Sequence, residues 1–436
     1  MTYKTVTNGY DWGPAIDKII LDLEVVIEAR VVTKEAFKVT VRRIFEEVHE
    51  TQRTVLNAYT SDELGNVSDD SRYITLELEV GPTRTEGSPF NYNRLTGRNE
   101  YVQTNYEISI SKDKLIPNAT DPSVATALME NQTIKSFAGD IKPLCDLFKH
   151  DQVFEVDHVK LSYAYFEPNH KKPTHLDQDI DSVSETKIPL IIWLHGAGEG
   201  GKDTTIAVLG NNVTNLIKSD IQSLFGNSGA YVLAPQSPTM WMDYNGQNIY
   251  NSAVEDSEGH SYYSSALMKL IQTFVLDHTD IDINRIYIGG CSNGGYMTVK
   301  LLMDYPDYFA AAYPTCEAYS VNWLSDEKID QIKNIPIWLV HAQNDPVLRI
   351  SDEKYIPIDD FSNALFTRLL NAGNTNVYYN RYDRVIDSSG KYLDDQGDHY
   401  EYHGHWSWVY TLKNECEQVI SGNRISLFDW LSKQSK

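Results

Sequence analysis

The segment Arg285–Met303, Arg-Ile-Tyr-Ile-Gly-Gly-Cys-Ser-Asn-Gly-Gly-Tyr-Met-Thr-Val-Lys-Leu-Leu-Met, constrains this chain more than any other. Apolar Ile286 and Ile288 predict a buried strand, and Tyr296, Val299 and Leu302 recur at helical spacing. Between them lies Gly290-Cys291-Ser292-Asn293-Gly294, a G-x-S-x-G pattern. Alone it is a weak signal, because glycine and serine are common. Set between a strand and a helix, it specifies a strained turn. The small flanking residues let the two elements approach, and the serine hydroxyl projects over the sheet edge. The amide of Asn293 then opens a helix, where an unpaired N–H suits a developing negative charge. The rival reading is a glycine-rich βα turn of a nucleotide-binding fold.

A serine hydroxyl is a poor nucleophile near neutral pH. It needs a base, and the base needs an orienting carboxylate. For an elbow of this kind the chain order is serine, acid, histidine, with the acid just past a later strand. Trp338-Leu-Val-His-Ala-Gln-Asn-Asp-Pro-Val347 supplies Asp345 after a strand ending near His341. The competing reading is a turn aspartate before proline. Three histidines compete as the base: His399, His403 and His405. His405 is best placed, because Gly404 permits a tight loop and Trp406 and Trp408 can fix the imidazole. Solvated histidines, or a metal cluster of Asp398, His399, His403 and His405, are the alternatives; we expect no metal and no cofactor. The oxyanion donors would be the backbone amides of Ala197 and Asn293. Ala197 lies in Trp193-Leu-His-Gly-Ala-Gly-Glu-Gly-Gly201, a glycine-rich loop after a buried strand. A phosphate-binding loop would need the G-K-[ST] ending that this stretch lacks. His195 is expected to brace this loop, and Cys291 to pack. Trp241, Cys316 and Glu317 are weaker candidates for the substrate pocket, since each follows a strand end, where ligands bind in open α/β sheets.

Around this site the chain divides in two. Residues 1–148 read as all-β, with strands over Ala15–Ile27, Ala36–Phe45, Tyr73–Val80 and Tyr106–Ser111 and turn-rich stretches over 61–70 and 81–96. These imply a small β-sandwich. Asp113–Lys149 reads as the sandwich end plus a linker. Residues 149–436 alternate strands and helices: strands over Val159–Phe166, Ile188–Leu194, Ala230–Ala234, Arg285–Gly289, Tyr308–Tyr313, Ile335–His341 and Asn376–Asn380, with a polar loop up to Lys187. Helices are expected over Thr214–Phe225, Ser261–Leu276, Asp360–Ala372 and Ile425–Ser432. That spacing predicts a mostly parallel sheet with helices on both faces. A net charge of −23 argues against nucleic acid and anionic membranes as partners. No apolar run is long enough to span a bilayer. The N-terminal Met-Thr-Tyr-Lys-Thr-Val lacks an apolar signal core, which tips the expectation to the cytoplasm; a leader removed upstream would make the protein secreted. The four cysteines, Cys145, Cys291, Cys316 and Cys416, make no C-x-x-C pair, and a Cys316–Cys416 bridge stays open.

Taken together, these motifs resemble the bacterial α/β-hydrolase esterases that carry an N-terminal immunoglobulin-like domain, which are related to predicted peptidases of the prolyl-oligopeptidase-like group. The resemblance spans nearly the whole chain. It rests on Trp12–Ile20, His195–Gly201, Gly290–Gly295, Asn344-Asp345-Pro346 and Gly404–Trp408, taken in this order. It implies a metal-free serine carboxylesterase acting on short acyl esters, with the Ig-like domain packed near the active site and shaping access or assembly. The long acidic stretch Asp383–Glu401 departs from the family pattern and leaves the pocket rim open to question. The expected partner is a small-molecule ester, with a homo-oligomer as one option. Two other enzyme readings remain. A peptidase would prefer aminoacyl amides to esters. A carbohydrate acetyl or feruloyl esterase would use the sandwich to bind glycan through exposed aromatic platforms. A binding-only pseudohydrolase would need a broken triad, and all three members are present.

Overall fold

Alternating burial along Phe37–Phe45, with Phe37, Val39, Val41 and Arg43 inward, is the local signature of the N-terminal part. The computed structural model describes residues 1–111, 133–168, 187–247, 259–348 and 361–436. In it this strand belongs to a four-stranded sheet in the order Thr133–Ile134, Gln103–Ile110, Phe37–Phe45, Glu47–Arg53. A five-stranded sheet runs Phe137–Ile141, Thr2–Tyr10, Gly13–Ile27, Ser71–Leu78, Val55–Ser61. Ile19, Leu21, Ile74 and Leu76 from one sheet and Val39, Val41 and Ile108 from the other share a single core. Arg53, 1% exposed, stitches the two sheets together. Its guanidinium donates to the Tyr106 hydroxyl at 2.9 Å and to the carbonyls of Ile16 and Glu79 at 3.0 Å each. Such bonds are what make a buried charge tolerable.

By its contacts the chain separates into two units, Met1–Asn93 with Asn99–Leu147, and Arg94–Arg98 with Phe148–Lys436. The second is built on an eight-stranded sheet. We label its strands β1 (Lys149–Val156), β2 (Val159–Phe166), β3 (Ile188–Leu194), β4 (Tyr231–Gln236), β5 (Ile281–Cys291), β6 (Ala311–Thr315), β7 (Ile337–Ala342) and β8 (Val377–Tyr382). Their order is β1-β2-β4-β3-β5-β6-β7-β8. β2 pairs antiparallel with both β1 and β4, and every other pairing in the sheet is parallel. All seven residues of β3 are buried, as a strand covered on both faces requires. The helices are α1 (Thr204–Leu209), α2 (Ser219–Gln222), α3 (Ser264–Asp277), α4 (Asn293–Asp304), α5 (Asp326–Ile332), α6 (Ser362–Asn371), α7 (Trp408–Leu412) and α8 (Leu427–Leu431). Ile286 and Ile288 of β5 pack into one core with α3 and α4. On the opposite side, Tyr313 and Trp338 meet Phe428 and Trp430 of α8, with ring centroids 5.5 and 5.4 Å apart.

Several sequence expectations shift. Thr214–Phe225 is not one helix. Its apolar spacing is helical, but Lys218 adopts an extended conformation (ψ 151°) between a 3-10 turn and α2. The side chain of Gln222 donates to the Leu216 carbonyl (2.8 Å), taking the place of a helical backbone bond. The strand expected at Tyr308–Tyr313 begins three residues later, at Ala311, because Tyr308 and Ala310 are held by a turn and by the Ile286 carbonyl. Residues Asn423–Ser426 form a hairpin strand before α8 rather than its first turn. Asp113–Lys149, read as the sandwich end plus a linker, contributes Thr133–Ile134 and Phe137–Ile141 to the sandwich. Residues 113–132 of that stretch, 169–186 of the polar loop, and Asp360 lie outside the described residues. Strands Thr2–Tyr10, Glu47–Arg53, Val55–Ser61 and β1, and helix α1, had no clear signal, being rich in threonine, charge or short apolar runs.

Candidate active site

Ser292 joins the end of β5 to the start of α4 with φ 54° and ψ −114°, a backbone conformation that a side chain other than glycine rarely adopts. Two features hold it there. Its N–H donates to the Thr315 carbonyl at the end of β6 (2.9 Å). Behind it, α4 begins against β3: a Cβ on Gly294 would lie 2.0 Å from the Leu194 carbonyl oxygen, so no larger residue fits. Ser292 is partly exposed, while Cys291 and Asn293 beside it are buried. The Cys291 thiol meets Asn211 Oδ1 at 3.3 Å, and burial pushes its pKa well up, so it packs and stays protonated.

The loop after β3 is braced as expected. His195 Nε2 accepts from the Ser237 N–H (3.0 Å), so Nδ1 carries the proton and donates to the Gly196 carbonyl (2.6 Å). Burial pushes this histidine down to about 4, which keeps it neutral. Ala197 opens a short 3-10 turn and is partly exposed; the first amides of such a turn have no intrahelical acceptor. Asn293 opens α4, so its N–H is likewise left over by the helix. Its side chain has a role the sequence did not disclose: Oδ1 accepts from the N–H groups of Trp241 (2.5 Å) and Met242 (3.3 Å), tying the loop after β4 to the elbow.

Asp345 lies in the turn after β7 and is 0% exposed. Its Oδ2 accepts from His405 Nδ1 at 2.6 Å, and its Oδ1 from the Val347 N–H at 2.8 Å. Burial alone would raise this carboxyl, but the His405 and His341 rings bonded to it hold it well below the usual carboxylate range. The glycine before His405 is required by close approach. A Cβ on Gly404 would sit 2.4 Å from Asn344 Oδ1. Trp408 packs edge-on against the His405 ring, with centroids 5.8 Å apart. Trp406 lies instead against His403 and Tyr402. Of the competing histidines, His403 Nδ1 accepts the His405 N–H at 3.4 Å, and His399 bonds the Asp387 carbonyl through Nδ1 at 2.6 Å. The three rings thus have separate partners, and among the described residues no three His, Cys, Asp or Glu side chains converge as metal ligands.

The structure therefore brings Asp345 and His405 together and sets Ser292 at a strained, partly exposed turn. Among the described residues, no hydrogen bond joins Ser292 Oγ to His405 Nε2. Trp241, Cys316 and Glu317 are each 0% exposed. Trp241 packs between His195 (5.0 Å) and Tyr263 (6.2 Å), while Cys316 and Glu317 lie under the elbow and present no surface to a pocket. All four thiols are buried and reduced, so Cys316 and Cys416 are not bridged. The acidic stretch Asp383–Glu401 is folded, with Asp387 and Tyr402 bonded across it to Tyr400 and Val385 and the Ile386 N–H donating to the Tyr410 hydroxyl (2.9 Å). Sequence reading missed His341, which bonds the second side of Asp345 Oδ2 at 2.9 Å. The available signal was a histidine four residues before an aspartate across a strand end.

Residues 2–120 match the family model for an esterase Ig-like N-terminal domain, and residues 176–356 match the phospholipase/carboxylesterase family model. Among curated proteins, none matches the chain. The crystal structure of a thermostable esterase aligns over 100% of both chains, with 24% identity and a TM-score of 0.72. An acylaminoacyl peptidase from Pyrococcus horikoshii aligns over 71% of this chain and 44% of its own at 16% identity and a TM-score of 0.39. A ferulic acid esterase covers 60% and 93% at 13% identity and 0.40. Residues 2–120 thus match an esterase Ig-like N-terminal domain and residues 176–356 the phospholipase/carboxylesterase family, and the chain is a carboxylic ester hydrolase of α/β-hydrolase fold.

Proposed function

We propose that the protein hydrolyses short-chain acyl esters through an acyl-enzyme intermediate, with Ser292 as nucleophile, His405 as base and Asp345 as the orienting acid. The machinery belongs to residues 149–436, with the sandwich of residues 1–148 ahead of it. The observation that carries this reading is the buried Asp345–His405 pair at 2.6 Å, in the chain order that the strained Ser292 elbow demands. Asp345 binds the Nδ1–H of His405, which leaves Nε2 as the basic nitrogen. In the acylation step Nε2 takes the Ser292 proton as Oγ bonds to the ester carbonyl carbon. The tetrahedral oxyanion is held by the amides of Ala197 and Asn293. Collapse breaks the bond to the alcohol, which leaves with the proton from His405. Water then repeats the sequence on the acyl-serine and releases the acid. A short acyl chain suits a site in which the residues behind the elbow, Trp241, Cys316 and Glu317, are packed shut.

The test is a panel of p-nitrophenyl esters graded by acyl length, with Ser292→Ala as control. Turnover is expected to fall as the chain lengthens and to be lost in Ser292→Ala while the fold persists by circular dichroism. Retained turnover in that variant would sink the serine mechanism, and a preference for long chains would sink the substrate class.

A further inference from the structure

The Asp345 carboxylate has three donors, and two of them are histidines. Oδ1 accepts from the Val347 N–H at 2.8 Å. Oδ2 accepts from His405 Nδ1 at 2.6 Å and from His341 Nε2 at 2.9 Å. The two rings reach that oxygen from different places. His405 arrives on a loop 60 residues downstream of Asp345. His341 belongs to the sheet itself: it lies in β7 opposite Arg381 of β8 and is 0% exposed. The turn after β7 folds Asp345 back over it, with the Asp345 N–H donating to the Ala342 carbonyl at 3.3 Å.

Counting protons assigns the ring. A carboxylate has no proton to give, so His341 donates through Nε2 while His405 donates through Nδ1. Burial holds His341 below its ordinary pKa, so the ring is neutral and its Nδ1 is an acceptor. Ser362 Oγ, buried at the start of α6, lies 2.8 Å from that nitrogen and donates to it. Both nitrogens of His341 are thus spent, one on the turn after β7 and one on α6. Any rotation of the ring would break both bonds.

The Val347 N–H and His405 alone would bond each carboxylate oxygen once. That leaves the carboxylate loosely set, because the torsion about its Cβ–Cγ bond has a broad well. A second donor on Oδ2, fixed to the end of a strand, sets the carboxylate plane and leaves one direction open for the His405 N–H. A neutral ring does this without bringing a positive charge. The negative charge that steadies the His405 imidazolium during proton transfer is therefore kept.

We propose that His341 is a positioning residue: by donating its Nε2–H to Oδ2 it holds the Asp345 carboxylate in the orientation that fixes His405. The proposal rests on the reading of Ser292, His405 and Asp345 as a triad. The competing role for His341 is to tie α6 to β7 through Ser362 and nothing more. The two roles use different nitrogens, so substitution separates them. Glutamine carries an N–H to about the position of Nε2. Asparagine is shorter: it reaches the position of Nδ1, keeps a polar contact with Ser362 and loses Asp345.

The experiment measures kcat and KM of the full chain for p-nitrophenyl acetate, with folding followed by circular dichroism and thermal melting. His341→Asn is expected to lower kcat about 10- to 100-fold with KM little changed, the scale of a small misplacement of catalytic groups. His341→Gln is expected to recover most of that loss. A folded His341→Asn with wild-type kcat overturns the proposal, as does a His341→Gln no faster than His341→Asn. A second measurement does not need either variant to fold. Magnetic resonance spectra of the wild type labelled with nitrogen-15 histidine should show two rings bonded to the carboxylate, one protonated at Nδ1 and one at Nε2, and both should shift in Asp345→Asn. A single responding ring, or two rings protonated at Nδ1, overturns the proposal. Ser292→Ala is run alongside. Activity in that variant removes the triad itself, whereas an inactive Ser292→Ala beside a fully active His341→Asn removes only the role of His341.

Discussion

Asp345 and Glu317 are both fully buried carboxyl groups, and their surroundings move them in opposite directions. The rings on Asp345 depress it, so its contribution to stability is present above its ordinary value of 3.8 and is lost as pH falls below that. Burial raises Glu317, so its contribution is present below its ordinary value of 4.5 and is lost as pH rises through about 8. Thermal melts should show this with opposite signs: the gap between wild type and Asp345→Asn closes in acid, and the gap between wild type and Glu317→Gln changes between pH 5 and 8. A difference that is flat across both windows would contradict the assignment. In turnover, Asp345→Asn should lower kcat by about 10³- to 10⁴-fold with KM nearly unchanged, since the amide no longer enforces the correct His405 tautomer. The pairing of Asp345 with His405 could be anticipated, because chain order and a glycine–histidine–tryptophan run left few candidates. His341 could not. In Ile-Pro-Ile-Trp-Leu-Val-His it reads as one more strand residue, and its role exists only once the turn folds Asp345 back onto it.

At the scale of elements, the elbow is the tightest junction. Gly294 on α4 lies against the last carbonyl of β3, so Gly294→Ala forces strand and helix apart. Overpacking of this kind costs about 1–3 kcal/mol, and urea unfolding should register it together with a loss of turnover. An alanine variant as stable and active as wild type would mean that the helix start can move. The strand–turn–helix was readable because its three signals agree: an apolar strand, small residues at the turn, and helical spacing after it. Thr214–Phe225 was misread because burial on one face imitates a helix. Val213, Leu216, Ile217, Ile221 and Phe225 are buried at helical intervals, yet the backbone is broken at Lys218. Periodicity reports which side chains face inward, and several short turns can satisfy it as well as one helix.

On the scale of the whole molecule, the alternation of strands and helices was enough to foresee a parallel sheet with both faces covered, but not that β2 runs against it, since direction is not encoded in burial. The −23 charge acts at this scale too. It should slow the approach of anionic esters, so kcat/KM for a negatively charged ester is expected to rise as salt increases to about 0.1 M, where the screening length is about 10 Å. A neutral ester of the same size should show no such rise, and equal salt responses would contradict the effect. The cysteines offer a further consequence. Cys145 lies in the first unit and Cys291, Cys316 and Cys416 in the second, and all are sealed from solvent. Each is then a silent clock on the opening of its own surroundings. An alkylating reagent should label none of them quickly in the native protein, and the order in which mass is gained would show whether the two units open together or one before the other.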